Sequence, residues 1–206
     1  MGTSERRERE KEQLRAKILD AARELFAEHG YEAVTMRKIA NRIEYSPTAI
    51  YFHFKDKSEL VRALCEHDFR AFAQRFLSVA SVSDPIERLL RSAEAYVEFA
   101  LEHPNHYRLM FMTPRIYDHA GPDLKPGDPE QDAYAFLKMN VAAAIESGKL
   151  RPELDDVELV AQLLWSGIHG VVSLNIAKHG APWVELKDPR LLTKEMCALL
   201  IRGLSR

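Results

Sequence analysis

The chain has 206 residues, 46% of them hydrophobic and 29% charged, which is enough for one or two globular cores and excludes a chain disordered over most of its length. Its two cysteines, Cys65 and Cys197, are far apart and outside any metal-ligand spacing, so a disulfide framework is excluded and free thiols in a reducing compartment are expected. The net charge of −2 carries no global signal for nucleic acid, but residues 36–57 hold five bases (Arg37, Lys38, Arg42, Lys55, Lys57) against two acids (Glu44, Asp56), a local +3 on an acidic body.

Residues 1–10 alternate Glu and Arg and read as a frayed helix extension or a disordered arm; residues 1–13 are too polar for a secretory leader. Apolar spacing is helical along nearly the whole chain. It predicts nine helices, near 10–29, 36–43, 47–53, 57–80, 85–102, 104–112, 129–147, 156–179 and 189–203, and no strand. A capping side chain followed by proline marks the starts at Ser46-Pro47, Asp84-Pro85, Asp128-Pro129 and Asp188-Pro189, because the first helical turn needs no proline N–H. Glycines are expected to close helices at Gly30, Gly148, Gly180 and near Gly203. Residues 113–131, with four prolines and two glycines, read as one long loop.

Helix one shows Leu14, Ile18, Ala22, Leu25 and Phe26 on one face. Thr35 caps a second helix with Met36, Ile39, Ala40 and Ile43 at i, i+3, i+4, i+7, and Ser46-Pro47 opens a third after a three-residue turn. That is helix-turn-helix spacing. In the third helix Ile50 and Phe54 are predicted to point inward and Phe52 to pack toward the following helix. Pro47, Thr48 and Tyr51 then face outward, short enough at the front to enter a major groove, while Tyr51 and His53 can donate to phosphate oxygens. Lys57, opening the fourth helix, reads as a further phosphate contact.

The run TMRKIANRIEYSPTAIYFHFKDKSELVRAL, residues 35–64, resembles the DNA-binding region of TetR/AcrR-type bacterial transcriptional regulators. The resemblance implies an all-α chain, with a three-helix DNA-binding domain over residues 1–56 and a larger helical domain over 57–206 for ligand binding and dimerisation. It implies contacts to double-stranded DNA from Thr35, Arg37, Ser46, Pro47, Thr48, Tyr51, His53 and Lys57. At Glu44 and Tyr45 the sequence departs from the family's usual Gly and small aliphatic residue, which puts Glu44 where a left-handed turn is expected. In the second half, WSGIHG (Trp165 to Gly170), preceded by HYRLMF at 106–111, resembles a subgroup with a Trp-x-x-x-His-Gly signature.

The segment from Leu159 to Ala177 has no charged residue and is long enough to span a bilayer. Its polar stripe of Gln162, Ser166, His169 and Ser173 fits a helix buried in protein better, and no membrane partner is expected. Six helices after residue 57 can enclose a ligand, with Phe72, Tyr96, Phe99, Tyr107, Met110, Phe111, Phe136, Met139, Trp165 and His169 as candidate lining and core filling as the alternative for each. The last two helices are the expected homodimer contact, with Gly167 and Gly170 allowing close approach and Leu191, Leu192, Met196, Leu199 and Leu200 supplying an apolar face. His103, His106 and His119 form the only histidine cluster, and Pro104 between the first two suits neither a metal pair nor a catalytic dyad. Phosphate loops, HExxH and GxSxG are absent. The sequence thus points to a cytoplasmic, ligand-responsive regulator without cofactor or metal. A repressor fits best; an activator of the same family and a helical interaction module are the alternatives.

Overall fold

The structure, a computed structural model, describes residues 3–113 and 127–205. The described chain forms α1 (Thr3–His29), α2 (Met36–Arg42), α3 (Pro47–His53), α4 (Lys57–Leu77), α5 (Pro85–Glu102), α6 (Pro104–Tyr107), α7 (Ala133–Glu146), α8 (Val157–Lys178) and α9 (Pro189–Leu204). A π-helical turn, Arg108–Met112, continues α6. Leu150 and Ser205 make one isolated bridge, and the described residues hold no strand. The fold is all-α. His119 and most of the proline-rich 113–131 segment lie outside the described residues.

Helix boundaries follow the capping chemistry. Ser46, Asp84 and Asp188 each accept first-turn N–H groups ahead of a proline at the first helical position. Asp128-Pro129 departs from expectation. Asp128 closes only a turn, accepting from the Gln131 and Asp132 N–H groups, and α7 starts four residues later under the Asp132 carboxylate. Gly30, Gly148 and Gly180 end helices at positive φ as expected, whereas α9 runs through Gly203 to Leu204.

The described residues divide into two compact units. The first comprises the chain up to Asp68 and the segment that begins at Asn105; the second comprises Phe69–Pro104 and α7–α9. The break falls inside α4 rather than at residue 56, because the first turns of that helix bury Leu60, Val61 and Leu64. The first unit's core is built on Ile18, Phe26, Ile39, Ile50 and Phe54. An ion pair runs through it. Arg23 on α1 donates to both carboxylate oxygens of the fully buried Asp68 on α4, at 3.0 and 2.8 Å. His67 and His106 each bring Nδ1 to 3.2 Å from Asp68 Oδ1. Burial pushes that carboxyl up, but the hydrogen bonds from His106, His67 and Arg23, with the Arg23 charge, outweigh it and hold Asp68 well below the usual carboxylate range.

The second unit packs α5, α7, α8 and α9 around Leu89, Val141, Ala144, Leu150, Val160 and Ala161. Gly167 lets α8 and α9 of one chain cross closely, since a Cβ there would lie 2.8 Å from Leu200 Cδ1, whereas Gly170 faces open space. By length and composition alone α8 could cross a membrane, and 28% of its apolar window is buried in the described structure. The expectation of a buried helix is therefore met on one side only: Leu159, Leu163, Trp165 and Leu174 remain exposed.

Candidate nucleic-acid interface

Two short helices and the turn between them set the site. Thr35 is extended, and its Oγ1 accepts from Lys38 N–H at 3.2 Å, which starts α2. The α2 exit is a Schellman turn. The Tyr45 N–H donates to Ala40 O at 3.0 Å and the Glu44 N–H to Asn41 O at 3.3 Å. Glu44 stands at the left-handed position with φ 60°, the only non-glycine residue there among the described residues. The expected geometry thus forms with an acid where glycine would be unstrained.

Ser46 Oγ accepts from Ala49 N–H at 3.2 Å and opens α3. Ile50 and Phe54, one turn apart, are both buried and fix which way α3 faces. Pro47, Thr48 and Tyr51 consequently lie on open surface, Tyr51 at 53% exposure. Phe52 corrects an expectation: it is 77% exposed and does not pack on α4. The reason is helical geometry. Two residues from either anchor is about 200° around the axis, so Phe52 cannot share their face. Its ring stands edge-on to His53, 5.6 Å between centroids. His53 is half-buried, and burial, then the positive charges of Arg15 and Lys11, hold its pKa below the ordinary imidazole value.

The local +3 does not translate into five available cations. Arg42 is bound to Glu28 at 2.8 Å and Glu24 at 3.2 Å on α1. Lys57 also departs from its expected phosphate position. Its ammonium turns inward to the carbonyls of Tyr31 (2.8 Å) and Val34 (3.0 Å) and lies 3.9 Å from the Tyr31 ring centroid. The α4 N-terminus is capped by Asp56, which accepts from Glu59 N–H at 2.8 Å, so an acid already occupies the expected anion position. Arg37 and Lys55 are exposed and make no ion pair among the described residues. Sequence reasoning missed Arg15, whose guanidinium sits over the Phe54 ring at 4.4 Å. Its signal was its position three residues before the buried Ile18.

The expected ligand-lining residues do not all fall together. Tyr107, Met110 and Phe111 belong to the first unit, the others to the second. Within the second unit Tyr96, Phe99 and Phe136 are buried, and the Phe72 ring meets Tyr96 edge-on and Phe99 at a tilt, with centroids 5.3 and 4.9 Å apart. Trp165 Nε1–H donates to Tyr96 Oη at 3.2 Å, and that hydroxyl lies 3.3 Å from His169 Nδ1. Burial lowers the His169 pKa. Met139, 42% exposed, is on the surface.

A capped pair of short helices with its second member displayed to solvent defines a helix-turn-helix DNA-binding protein. Residues 18–64 match the model described as bacterial regulatory proteins, tetR family. Residues 89–199 match the tetracyclin repressor-like C-terminal domain. The chain belongs to the TetR family of bacterial transcriptional regulators and is not an enzyme. It is 26% identical, over 95% of its length and 94% of the relative's, to the HTH-type transcriptional regulator Rv1816 of Mycobacterium tuberculosis H37Rv. It is 28% identical, over 77% of its length and 80% of the relative's, to the HTH-type transcriptional repressor AcnR of Corynebacterium glutamicum. The fold matches that of the fatty acid degradation regulator FadR from Bacillus halodurans, with a TM-score of 0.73 at 22% identity, covering 93% of this chain and 97% of that one.

Proposed function

We propose that the protein is a homodimeric repressor that binds a palindromic DNA site and releases it when a small molecule occupies the helical ligand domain. The observation that carries the reading is the open surface of α3: Pro47, Thr48 and Tyr51 are exposed because Ile50 and Phe54 are not. Pro47 and Thr48 lie against base edges. Ser46, Tyr51, His53, Thr35 and Arg37 hold backbone phosphates. Lys57 acts through the Tyr31–Val34 turn. The repressor sense is supported by the likeness to AcnR. Dimerisation is supported by the exposed apolar face of α8 and α9, where Leu159, Leu163, Leu174, Leu191 and Leu199 have no cover in one chain, around the open position at Gly170. The Tyr96–Trp165–His169 hydrogen-bonded cluster is the best candidate for contacting an effector and supports placement in the Trp-x-x-x-His-Gly subgroup. An effector can release DNA only by binding the non-DNA arrangement more tightly. Such a regulator works in the bacterial cytoplasm.

Selection of bound duplexes from a random DNA pool tests this reading. The recovered sites should be two-fold symmetric, with half-sites roughly 34–36 Å apart, about one helical turn. Tyr51→Ala should then weaken binding at least tenfold with helix content unchanged. Recovery of no enriched site, or full affinity in Tyr51→Ala, rejects the placement of α3 in the groove.

A further inference from the structure

α1 begins well before the matched family segment, and every residue from Glu5 to Gln13 is exposed. A helix polar all round has no core to hold it, and here i, i+4 pairs such as Arg6–Glu10 at 2.8 Å do so instead. Its charges are nevertheless sorted by face. Arg7, Lys11 and Arg15 are spaced four residues apart, and Lys11 precedes the buried Ile18 by seven. They therefore continue, beyond the end of the core, the same stripe of α1 that buries Ile18, Ala22 and Leu25. Of the four acids Glu5, Glu8, Glu10 and Glu12, only Glu8 borders that stripe, and its contact to Lys11 is a loose, exposed 3.6 Å. Arg6 and Arg9 lie on the other faces.

The stripe lies next to the recognition helix. Arg15 stacks on the Phe54 ring at the α3 C-terminus, 4.4 Å away. Lys11 and Arg15 also depress the pKa of His53, so their charge is felt at the last residue of α3. Arg7 continues this row one turn further from the core.

We infer that Arg7, Lys11 and Arg15 form a phosphate-binding row that extends the DNA interface from the end of α3 along the overhanging part of α1. This rests on the reading of the protein as a DNA-binding regulator. The partner is the sugar-phosphate backbone flanking the half-site, recognised by charge and by the spacing of cations along a rod. The row carries no base readout, so it adds affinity and salt dependence without sequence preference.

The test uses the full chain and a fluorescein-labelled 40-base-pair duplex of arbitrary sequence, with anisotropy titrations at several salt concentrations. Arg7→Ala with Lys11→Ala removes two phosphate contacts from each protomer of the bound dimer, so the slope of log affinity against log salt should fall by about 3–4. Arg6→Ala with Arg9→Ala removes the same charge from the opposite faces and should leave the slope within about 0.5 of the parent. Alanine favours the helix in both pairs, and circular dichroism at 222 nm checks that α1 persists. An unchanged slope in the first pair overturns the inference, as does an equal fall in both pairs. A parent chain without salt-dependent DNA binding rejects the underlying regulator reading instead.

Discussion

Replacing Asp68 with Asn tests the internal support of the DNA-binding unit. The side chain is fully buried, and it balances an Arg23 guanidinium that is itself 4% exposed and bonded to it twice. Asn keeps the shape but removes the charge, leaving a buried cation with only the exposed Asp20 as an acidic partner, at 2.7 Å. Breaking a buried pair on one side costs on the order of 3–5 kcal/mol. Because Asn can still accept one guanidinium N–H, we take the low end, about 3 kcal/mol. For a chain of this size that is a fall in Tm of roughly 6–12 °C. The sign with pH follows from the depressed carboxyl. Asp68 contributes in full above its unfolded value near 4, and that contribution fades as pH falls below it. The gap between parent and Asp68→Asn, measured by thermal melts from pH 7 to pH 3, should therefore narrow on acidification. Arg23→Met combined with Asp68→Leu should cost less than Asp68→Asn alone, since no charge is then stranded. A gap under 1 kcal/mol at pH 7, or one that does not shrink by pH 3, would refute the reasoning.

Glu44→Gly should stabilise the α2–α3 turn by about 0.5–1 kcal/mol, because relief of the left-handed conformation outweighs the added freedom of the unfolded chain, and a Tm rise of roughly 1–4 °C would register it. The same change removes an acid beside the DNA-facing surface, so affinity for a nonspecific duplex should rise; a lower Tm would contradict the Schellman assignment. Lys57→Met should cost about 2 kcal/mol by releasing the Tyr31 and Val34 carbonyls and the Tyr31 ring, while the salt slope of DNA binding changes by well under 1. A slope lower by about 2, one contact from each protomer, with stability intact would return Lys57 to a direct phosphate role.

The helices were legible in the sequence because their signals are local. Ser46-Pro47, Asp84-Pro85 and Asp188-Pro189 each carry both cap and first residue, and Met36, Ile39 and Ala40 in α2 and Ile50 with Phe54 in α3 announce a buried face on each helix by their spacing. The left-handed turn at Glu44 was expected from the resemblance to a family that usually has glycine at that position. What sequence could not supply is pairing across distance. Arg23 and Asp68 lie 45 residues apart, and nothing around either names the other. Arg42 was counted as a surface cation because Glu24 and Glu28 lie on another helix. Phe52 misled for a different reason: hydrophobicity argued for burial, while a two-turn helix with two anchors has no inward position left for it.

The passage of α4 across the division between the two cores has a practical outcome. A fragment ending at residue 56 would keep the whole helix-turn-helix yet lack the buried Leu60, Val61 and Leu64 of the same unit and Asp68, the counter-charge of Arg23. The reading head cannot be excised at the motif's edge. What it would lose is carried on the first turns of a helix whose later turns belong to the second unit.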